Sequence, residues 1–479
     1  MNVLFVASEC APFVKTGGLA DVIGAVPKSL AANGVAARVL MPCYPALKEL
    51  AQRGTVVWQS DSLHGHEACV VAVQDQGIDL LLLDAPHLFD REGNIYLDAD
   101  GMDWADNALR FGALSFVGAE LAAAGIDGWK PDVVHAHDWQ AGLVPAYLRQ
   151  MRGHTPPCVL TIHNIAFQGV FGREMMGPLG LDDALFTMDG LEYYGNIGFL
   201  KAGVAYADKI TTVSPTYAQE ILQPEFGMGL EGLLSARQGD LHGILNGIDL
   251  DVWDPEQDAH LATTYTARTL KKKAQNREAL LTRFGLTAAD DAPVFCVVSR
   301  LTAQKGIDLL LEVLPRLVAQ GARLAVLGSG DKTFEAEFVA AAHRYPGAVG
   351  VVIGYDEPLS HLMQGGSDAI LIPSRFEPCG LTQLYGLRYG TIPVVARTGG
   401  LADTVIDAND AARVADCATG VQFVPVTSAA LGHAIERTCD LYRDTKAWAG
   451  MVRRAMRHPV GWDVSSVAYH AIYSALTDR

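Results

Sequence analysis

The loop at residues 373–383 holds a carboxylate, Glu377, between two predicted secondary-structure elements. The apolar run at residues 369–372 predicts a buried strand, and the pattern at residues 384–389 predicts a helix. Ligands of open α/β sheets bind at the carboxyl ends of strands, and free N–H groups at helix starts attract phosphate. A fixed carboxylate in the same loop suits sugar hydroxyls better than phosphate. The loop therefore predicts a site for a nucleotide sugar, and the alternative is that Glu377 only caps the helix.

A second candidate loop, at residues 15–22, follows the first predicted strand. Gly17 and Gly18 remove side chains, so that a ligand can approach the backbone closely, and Lys15 adds a positive charge. With a helix start next to them, these residues predict a cradle for a diphosphate. The segment matches neither the Walker A pattern nor G-x-G-x-x-G. The alternative is a plain strand-to-helix turn with an exposed lysine.

A third loop, at residues 299–306, places two cations after the predicted strand at residues 294–298. Arg300 can grip a phosphate bidentately, whereas Lys305 acts as a mobile point charge. Two cations on one loop repel each other unless an anion lies between them, which favours an anionic ligand. The alternative is a pair of ordinary surface cations.

Histidines follow two strands of the first predicted sheet. His135 and His137 alternate along a strand and would share one face, so a metal site is conceivable. No cysteine or carboxylate set completes such a site. A polar cleft floor is the better interpretation, with Asp138, Trp139 and His163 binding or stacking on sugar rings. For His135 we favour a buried, hydrogen-bonded structural role.

Two weaker patterns complete the set of candidate residues. Tyr355 follows a predicted strand and could stack on a base, although an aromatic residue in a loop more often packs. The glycines at residues 397–400 receive only a structural role. No Ser-His-Asp order, H-E-x-x-H motif or P-loop occurs, which disfavours phosphoryl transfer from a magnesium nucleotide.

Two series of apolar runs alternate with helical patterns and would position these loops. The first series comprises residues 3–6, 37–41, 80–83, 133–134, 159–162 and 209–213, and the second comprises residues 294–298, 323–327, 349–353, 369–372 and 392–396. Apolar strands separated by helices predict buried parallel sheets built from βαβ units. Two such series predict an α/β protein with two doubly wound domains.

Turn-forming residues predict where one domain ends and the next begins. The Asn-Gly turn at residues 245–249 predicts the boundary. The charged run at residues 271–277 is interpreted as an exposed helix with a solvated face, entering the second domain. Residues 465–476 predict a final amphipathic helix.

The composition excludes several classes of function. The 479 residues include 37 basic and 54 acidic ones, for a net charge of -17, which argues against binding to nucleic acid or an anionic membrane. Eight cysteines without a C-x-x-C pair fit a reducing compartment and indicate no zinc or redox motif. We see no secretory signal and no apolar run of membrane-spanning length. We therefore expect a cytoplasmic protein.

Six segments together resemble the signature motifs of bacterial glycogen synthases and plant starch synthases. They are residues 15–19, 133–139, 161–164, 243–249, 300–306 and 374–383, and they occur in the family's order over nearly the whole chain. The resemblance implies two Rossmann-like domains facing a deep cleft, the glycosyltransferase B fold. It implies an N-terminal, acceptor-side domain of the starch-synthase catalytic type at residues 1–244. It also implies a donor-side domain at 245–458, and a C-terminal helix within 459–479 that crosses back to the first domain.

The resemblance also implies a reaction, the transfer of glucose from ADP-glucose to the non-reducing end of an α-1,4-glucan with retention at the anomeric carbon. Neither a metal nor another cofactor is expected, and a front-face mechanism is implied in which the leaving phosphate helps deprotonate the incoming hydroxyl. The alternatives are a transferase of the same fold that uses UDP-glucose, or a catalytically inactive glycan-binding protein. A phosphorylase is disfavoured because no motif for a pyridoxal phosphate lysine is found. Oligomeric state is left open.

The resemblance assigns roles residue by residue. Catalytic roles fall to Lys15, His163, Arg300, Lys305 and Glu377. Donor binding falls to Lys15, Gly18, Asp21, Asn246, Ser299, Arg300, Lys305, Tyr355, Glu377, Gly380 and Thr382. Acceptor binding falls to Tyr96, Asp138 and Trp139. Because Lys15 and the pair Arg300 and Lys305 fall on different predicted domains, they are expected to meet one diphosphate only when the cleft closes.

Overall fold

The computed structural model describes residues 1–287 and 291–478. Contacts divide the chain into two compact units. The first unit consists of Met1–Asn246 together with Trp462–Arg479, and the second consists of Gly247–Gly461.

The first unit alternates strands and helices along most of its length. Its strands are β1 (Asn2–Val6), β2 (Ala36–Pro42), β3 (Thr55–Leu63), β4 (His66–Asp75), β5 (Ile78–Asp84), β6 (Val133–His137), β7 (Cys158–Ile162), β8 (Val170–Phe171), β9 (Glu192–Tyr193), β10 (Asn196–Gly198), β11 (Lys209–Thr212) and β12 (Leu241–Gly243). Its helices up to the domain boundary are α1 (Gly18–Ala31), α2 (Lys48–Ala51), α3 (Pro86–Phe89), α4 (Asn107–Ala124), α5 (Val144–Gln150), α6 (Phe199–Tyr206), α7 (Pro215–Glu220) and α8 (Glu231–Ala236).

The main sheet of this unit has the strand order β12-β11-β7-β6-β1-β2-β5-β4-β3. Strands from β12 to β5 pair in parallel. Residues 3–6 of the central strand β1 are fully buried, as expected for a strand that is covered on both faces. Every strand predicted from the apolar runs of this unit is confirmed. The carboxyl ends of β1, β6 and β7 lead into the loops that carry the candidate residues.

One edge of this sheet differs from the prediction of purely parallel pairing, because β3 and β4 pair antiparallel with each other and β4 pairs antiparallel with β5. Two-residue turns join these strands. His64 and Gly65 have φ of 50° and 86°, and Gln76 and Gly77 have φ of 49° and 76°. Two successive residues with positive φ are typical of the tight turns of β-hairpins. The sequence did not predict these turns, because His64 and Gln76 stand before the glycines where Asn or Asp is the usual signal.

The second unit is built around one parallel sheet in the described residues. Its strands are β13 (Val294–Val298), β14 (Arg323–Gly328), β15 (Val349–Ile353), β16 (Ala369–Ile372), β17 (Ile392–Ala396) and β18 (Val421–Phe423), in the order β15-β14-β13-β16-β17-β18. Its helices are α9 (Lys273–Phe284), α10 (Ile307–Ala319), α11 (Lys332–Arg344), α12 (Glu357–Gly366), α13 (Thr382–Tyr389), α14 (Gly399–Thr404), α15 (Asp410–Val414), α16 (Ser428–Arg443) and α17 (Thr445–Arg457). The five strands predicted for this unit are confirmed, and the short β18 is an addition.

Alternate residues of the central strand β13 bury into two separate cores. Phe295 and Val297 pack in one core with residues of α10 and α16. Val294 and Cys296 pack in the other with residues of α9 and α12. Both faces of the sheet are therefore covered, which explains why its strands are apolar runs instead of alternating patterns.

The interpretation of residues 271–277 as a solvated helix face is wrong for two of its cations. Nζ of Lys273 is turned inward and donates to Oγ1 of Thr391 at 2.8 Å and to two backbone carbonyls at 3.1 and 3.2 Å. Arg277 forms an ion pair with Asp368. Burial lowers the pKa of Lys273 to about 7, although the charge of Asp368 opposes this shift. The sequence cannot show that the partners of these cations lie some ninety or more residues away.

The last helix, α18 (Asp463–Thr477), packs within the first unit. Asn33 donates from Nδ2 to Oγ of Ser466 at 3.1 Å. The hydroxyl of Tyr473 lies 2.7 Å from Nδ1 of His135 in the unit's core. The predicted amphipathic helix at residues 465–476 is thus present.

Among the helices in the described ranges, none combines the length and the apolar character that are needed to cross a bilayer.

Candidate active site

In the second unit, the loop between β16 and α13 holds a buried carboxylate. Glu377 is 8% exposed. Its Oε2 lies 2.5 Å from Nζ of Lys305 and accepts a hydrogen bond from Oγ of Ser374 at 2.8 Å. Glu377 thus supplies a counter-charge to Lys305, and its two contacts fix the orientation of the carboxylate.

Hydrogen bonds and a close backbone contact join the loop of Lys305 to the loop of Glu377. Gln304 donates from Nε2 to the carbonyl of Phe376 at 2.7 Å. Arg375 forms two hydrogen bonds of 2.7 Å with the carboxylate of Asp308 in the first turn of α10. Gly306 has a φ of 69°, and a Cβ on it would lie 2.0 Å from the carbonyl oxygen of Pro373. Only glycine allows this approach, so the two loops are held in one arrangement.

The start of α13 lies at the end of the same loop. In the structure no side chain caps this helix, and Glu377 bonds to Lys305 and Ser374 instead. The alternative role of Glu377 as a helix cap is therefore wrong. Gln383 donates to the carbonyl of Gly380 at 2.9 Å, and Gly380 has a φ of 73°. Because no side chain in the described part of the chain caps this helix, the first backbone N–H groups near Thr382 can donate to an acceptor outside the helix.

The remaining donor-side candidates of the second unit are accessible. Arg300 is exposed, and its side chain forms no hydrogen bond or ion pair with any residue that the structure describes. Ser299 precedes it and donates to the Arg300 carbonyl at 3.1 Å. Tyr355 is 78% exposed, and its hydroxyl donates to Glu357. An exposed cation and an exposed aromatic ring thus follow β13 and β15, at the same edge of the sheet as Glu377.

In the first unit, the glycine-rich loop lies between β1 and α1. Nζ of Lys15 forms an ion pair of 2.8 Å with Oδ1 of Asp21 in the first turn of α1. Residues 15–18 are exposed, and a Cβ on Gly17 would meet nothing within 4 Å. Gly18 is the first residue of the helix, which has no side-chain cap. The loop therefore offers a cation and an open helix start to solvent.

A residue that the sequence did not reveal, Glu9, holds this loop in place. It is 3% exposed. Its carboxylate accepts hydrogen bonds from N of Thr16 at 2.5 Å, from Oγ1 of Thr16 at 2.7 Å and from N of Gly17 at 3.2 Å. The Tyr96 hydroxyl donates to it at 2.5 Å and lies 2.7 Å from Oγ of Ser8. Burial and the charge of Glu9 raise the pKa of Tyr96 well above its usual value.

His135 has the structural role that the sequence suggested. It is fully buried, with Nδ1 at 2.7 Å from the Tyr473 hydroxyl and Nε2 at 2.6 Å from Oγ1 of Thr161. Burial lowers its pKa to about 3, so the ring is neutral. This interpretation is confirmed.

His163 and Asp138 lie together at the carboxyl ends of β6 and β7. Oδ1 of Asp138 accepts a hydrogen bond from the backbone N of His163 at 2.7 Å. Burial raises the pKa of Asp138 to about 7 against this bond, and burial lowers the pKa of His163 to about 3. Nε2 of His163 lies 2.9 Å from Nδ1 of His137. These side chains form a polar group without a formal cation near neutral pH.

Two other candidates of this unit are buried. The Trp139 ring packs against Phe111, Phe171 and Phe199, which is the packing of a core residue. Its role in holding an acceptor stays a prediction. Asn246 is buried, and its Oδ1 has no hydrogen-bond partner among the described residues.

Within residues 1–287 and 291–478, no group of three or more His, Cys, Asp and Glu side chains has the arrangement to hold a metal ion. In particular, His135 and His137 direct ring nitrogens to Tyr473, Thr161 and His163.

Comparison with known proteins assigns this arrangement to a family. The model described as starch synthase catalytic domain matches residues 2–236, and the model described as glycosyl transferases group 1 matches residues 281–449. The chain is 72% identical over 476 residues to a glycogen synthase from Roseobacter denitrificans, across 99% of both proteins. The chain belongs to the bacterial glycogen synthase family. It is also 56% identical over 479 residues to a glycogen synthase from Mesorhizobium japonicum, across 100% of this chain and 99% of the relative.

A solved structure extends the likeness beyond bacterial glycogen synthases. The catalytic domain of starch synthase IV from Arabidopsis thaliana, bound to ADP and acarbose, matches with a TM-score of 0.88 and 30% identity. The match covers 100% of this chain and 99% of that one. The predicted family, the hexosyltransferase class and the two-domain α/β fold of the glycosyltransferase B type are confirmed.

Proposed function

We propose that this glycogen synthase homologue transfers glucose from ADP-glucose to the non-reducing end of an α-1,4-glucan, with retention at the anomeric carbon. The ion pair between Lys305 and Glu377 carries the proposal, because it fixes a cation and an anion in one loop pair. A nucleotide sugar needs both, a cation for its diphosphate and an anion for its sugar. The starch synthase structure bound to ADP supports the choice of nucleotide.

Breaking the anomeric C–O bond builds negative charge on the diphosphate. Lys305 and the exposed Arg300 would stabilise this charge, with the backbone N–H groups at the start of α13 near Gly380 and Thr382. Such preorganised donors need no rearrangement during the reaction, and removing one typically lowers the rate by about 10²–10³. Lys15 would bind the same diphosphate, with Gly18 and the start of α1 beside it. Asp21, which forms an ion pair with Lys15, would hold its ammonium until the donor arrives.

The same step builds positive charge on the glucosyl ring. Glu377 would favour that charge and bind glucose hydroxyls, and its contacts to Lys305 and Ser374 fix the position of its oxygens. The leaving phosphate would help to deprotonate the incoming acceptor hydroxyl on the same face. These steps are assigned to protein side chains, backbone N–H groups and the leaving phosphate of the donor itself, and the proposal includes neither a metal nor a cofactor.

Neutral groups would orient the sugar. His163 would line the glucose pocket, and Asn246 offers a buried oxygen that still lacks a donor among the described residues. Tyr355 would stack on adenine, since most of its ring is open to solvent. Ser299 would contact the donor beside Arg300. Tyr96, Asp138 and Trp139 remain the candidates on the acceptor side.

The test is glucose incorporation into glycogen with ADP-glucose and UDP-glucose in parallel, each with a metal chelator. We expect transfer from ADP-glucose, undiminished by the chelator. A preference for UDP-glucose would overturn the assignment of the base, and a loss with the chelator would overturn metal independence. No transfer from either donor, in a protein that still binds glycogen, would favour a glycan-binding role.

A further inference from the structure

The buried His137 has an unusual hydrogen-bond balance. The residue is 1% exposed. Its Nδ1 lies 2.9 Å from Nε2 of His163, while its own Nε2 is buried and has no hydrogen-bond partner in the described chain. Phe5 stacks on the ring at 5.6 Å and 13°, and His135 lies 4.1 Å from it between ring centroids. The ring therefore has little freedom to turn and find a second partner.

Each of the two bonded imidazoles carries a single ring proton at neutral pH. Burial lowers the pKa of His163 to about 3. Burial, followed by the neighbouring His135 and His163, lowers the pKa of His137 well below its usual value. One of the two ring protons therefore lies in the bond between them, and its owner decides the tautomer of both rings.

Two arrangements are possible, and they leave different atoms unpaired. If His163 donates from Nε2, the proton of His137 lies on its buried Nε2, where an N–H group has no acceptor. If His137 donates from Nδ1, the unpaired atom is a bare ring nitrogen. Orphaned buried N–H groups are the rarer case in folded proteins, while under-satisfied acceptors are better tolerated. The second arrangement is thus favoured.

We infer that His137 is a positioning residue, which donates from Nδ1 to Nε2 of His163 and so keeps the proton of His163 on Nδ1. That Nδ1 forms no hydrogen bond with the described residues. It then acts as a fixed hydrogen-bond donor, and its ligand class is an oxygen acceptor such as a hydroxyl of the transferred glucose. The inference rests on the proposed function, in which His163 lines the glucose pocket.

Fixing the proton has a consequence for specificity. A site that is built to hydrogen-bond a hydroxyl rejects an analogue without that hydroxyl far more strongly than a site that can adapt. His137 should therefore strengthen discrimination against one deoxy sugar without touching the sugar itself.

The decisive variant is His137→Phe, which keeps a buried ring beside Phe5 and removes the donor. With ADP-glucose, kcat/KM should fall about tenfold, the value of one hydrogen bond. With donors deoxygenated at each glucose hydroxyl in turn, one analogue should lose little or nothing in the variant. An equal loss with every analogue would mean that His137 only supports the fold and would overturn the inference.

A direct readout is the ring ¹⁵N NMR spectrum of histidine-labelled wild-type protein, assigned with His163→Ala. We expect the His163 proton on Nδ1, and a proton on Nε2 would overturn the inference even if His137→Phe failed to fold.

The matched control is His135→Phe, another fully buried ring that is bonded to Tyr473 and Thr161 instead of His163. It should lower the Tm and leave the deoxy-sugar pattern unchanged. His163→Ala separates the two levels of the argument. Full activity in that variant would remove both the sugar role of His163 and this inference. Lost activity there, with unaltered discrimination in His137→Phe, would remove this inference alone.

Discussion

Two groups of candidate residues, the loop that holds Glu377 in the second unit and the carboxyl ends of β6 and β7 in the first, differ in how they carry charge. In the second unit, Glu377 and Lys305 form a partly buried ion pair at 2.5 Å, and Arg300 is exposed without an ion-pair partner among the described residues. In the first unit, His163 is a neutral imidazole, and the carboxyl of Asp138 has a pKa of about 7 because it is buried. Full charges suit a diphosphate and a developing cation, whereas neutral donors and acceptors suit hydroxyls. In the proposed reaction, Lys305, Arg300 and Glu377 would mainly stabilise charge, whereas His163 and Asp138 would mainly hydrogen-bond to the sugars.

The Glu377→Gln variant tests most directly whether the negative charge of this residue is needed for the reaction. The amide keeps the size of the side chain and can still bond to Ser374, but it removes the negative charge. We expect kcat to fall by about 10³, while ADP binding is retained or tightened because Lys305 is released. Turnover and calorimetric titration with ADP measure the two effects.

Glu335→Gln is the matched control for this prediction. Glu335 also pairs with a lysine in the second unit, Lys332, at 2.8 Å. It should turn over normally. A Glu377→Gln enzyme within tenfold of wild type would show that the charge of Glu377 is dispensable.

Lys15 is an exposed cation in the first unit. Replacing it tests whether that unit also stabilises the charge of the diphosphate. Lys15→Ala should lower kcat/KM by about 10² because one contact to the diphosphate is lost. The Tm should not change, since the side chain is solvent-exposed and its ion pair in the described part of the chain is with the half-buried Asp21. Steady-state kinetics and thermal melts measure the two effects. The control is Lys332→Ala, because the Lys332 side chain is 87% exposed, pairs with a carboxylate and lies at the start of a helix. Near-normal turnover would assign the diphosphate to the second unit alone.

Glu9 is a buried anion of the first unit whose carboxylate accepts hydrogen bonds from Thr16 and Gly17 and so organises their loop. Glu9→Gln replaces two acceptor sites by an amide donor and should loosen Thr16 and Gly17. We expect KM for ADP-glucose to rise about tenfold with a smaller change in kcat. Steady-state kinetics provide the measurement, and a melt confirms folding. An unchanged KM would mean that the loop holds its shape without the carboxylate.

Replacing Asp138 is expected to change the pH dependence of stability. Because its folded pKa is raised from 3.8 to about 7, the folded state resists ionisation, and this residue lowers stability as the pH rises through that window. Asp138→Asn keeps an acceptor for the His163 N–H without the charge. Its Tm should match wild type near pH 4 and exceed it by a few degrees at pH 8. Parallel melting curves over the pH range would contradict the raised pKa.

The parts of the fold that the sequence predicted are those with local signals. Strands such as residues 294–298 are apolar because both of their faces are buried, and the loops after them carry the motif residues. The predicted candidates Lys305 and Glu377 are brought together in the structure, although 72 residues separate them. Parallel strands explain this, since their carboxyl ends share one edge.

The parts that were missed depend on contacts between distant or unremarkable residues. Glu9 follows a strand as one more acidic residue, and only the folded loop shows that Thr16, Gly17 and Tyr96 donate to it. Lys273 belongs to a run of lysines, and nothing local distinguishes it from its exposed neighbours. A signal was available for Glu9, since an acidic residue that lies between the first apolar strand and Lys15 could have been considered as a partner of that loop.

The place of α18 in the first unit has a consequence for how the protein is made. Domains generally fold as units while the chain emerges from the ribosome, the N-terminal one first. Here Tyr473 bonds to His135 in the core of the first unit, so that unit lacks a core contact until the last helix has been synthesised. The second unit is contiguous, from Gly247 to Gly461, and can complete its own core earlier. Although the first unit begins the chain, it should therefore be the last to mature.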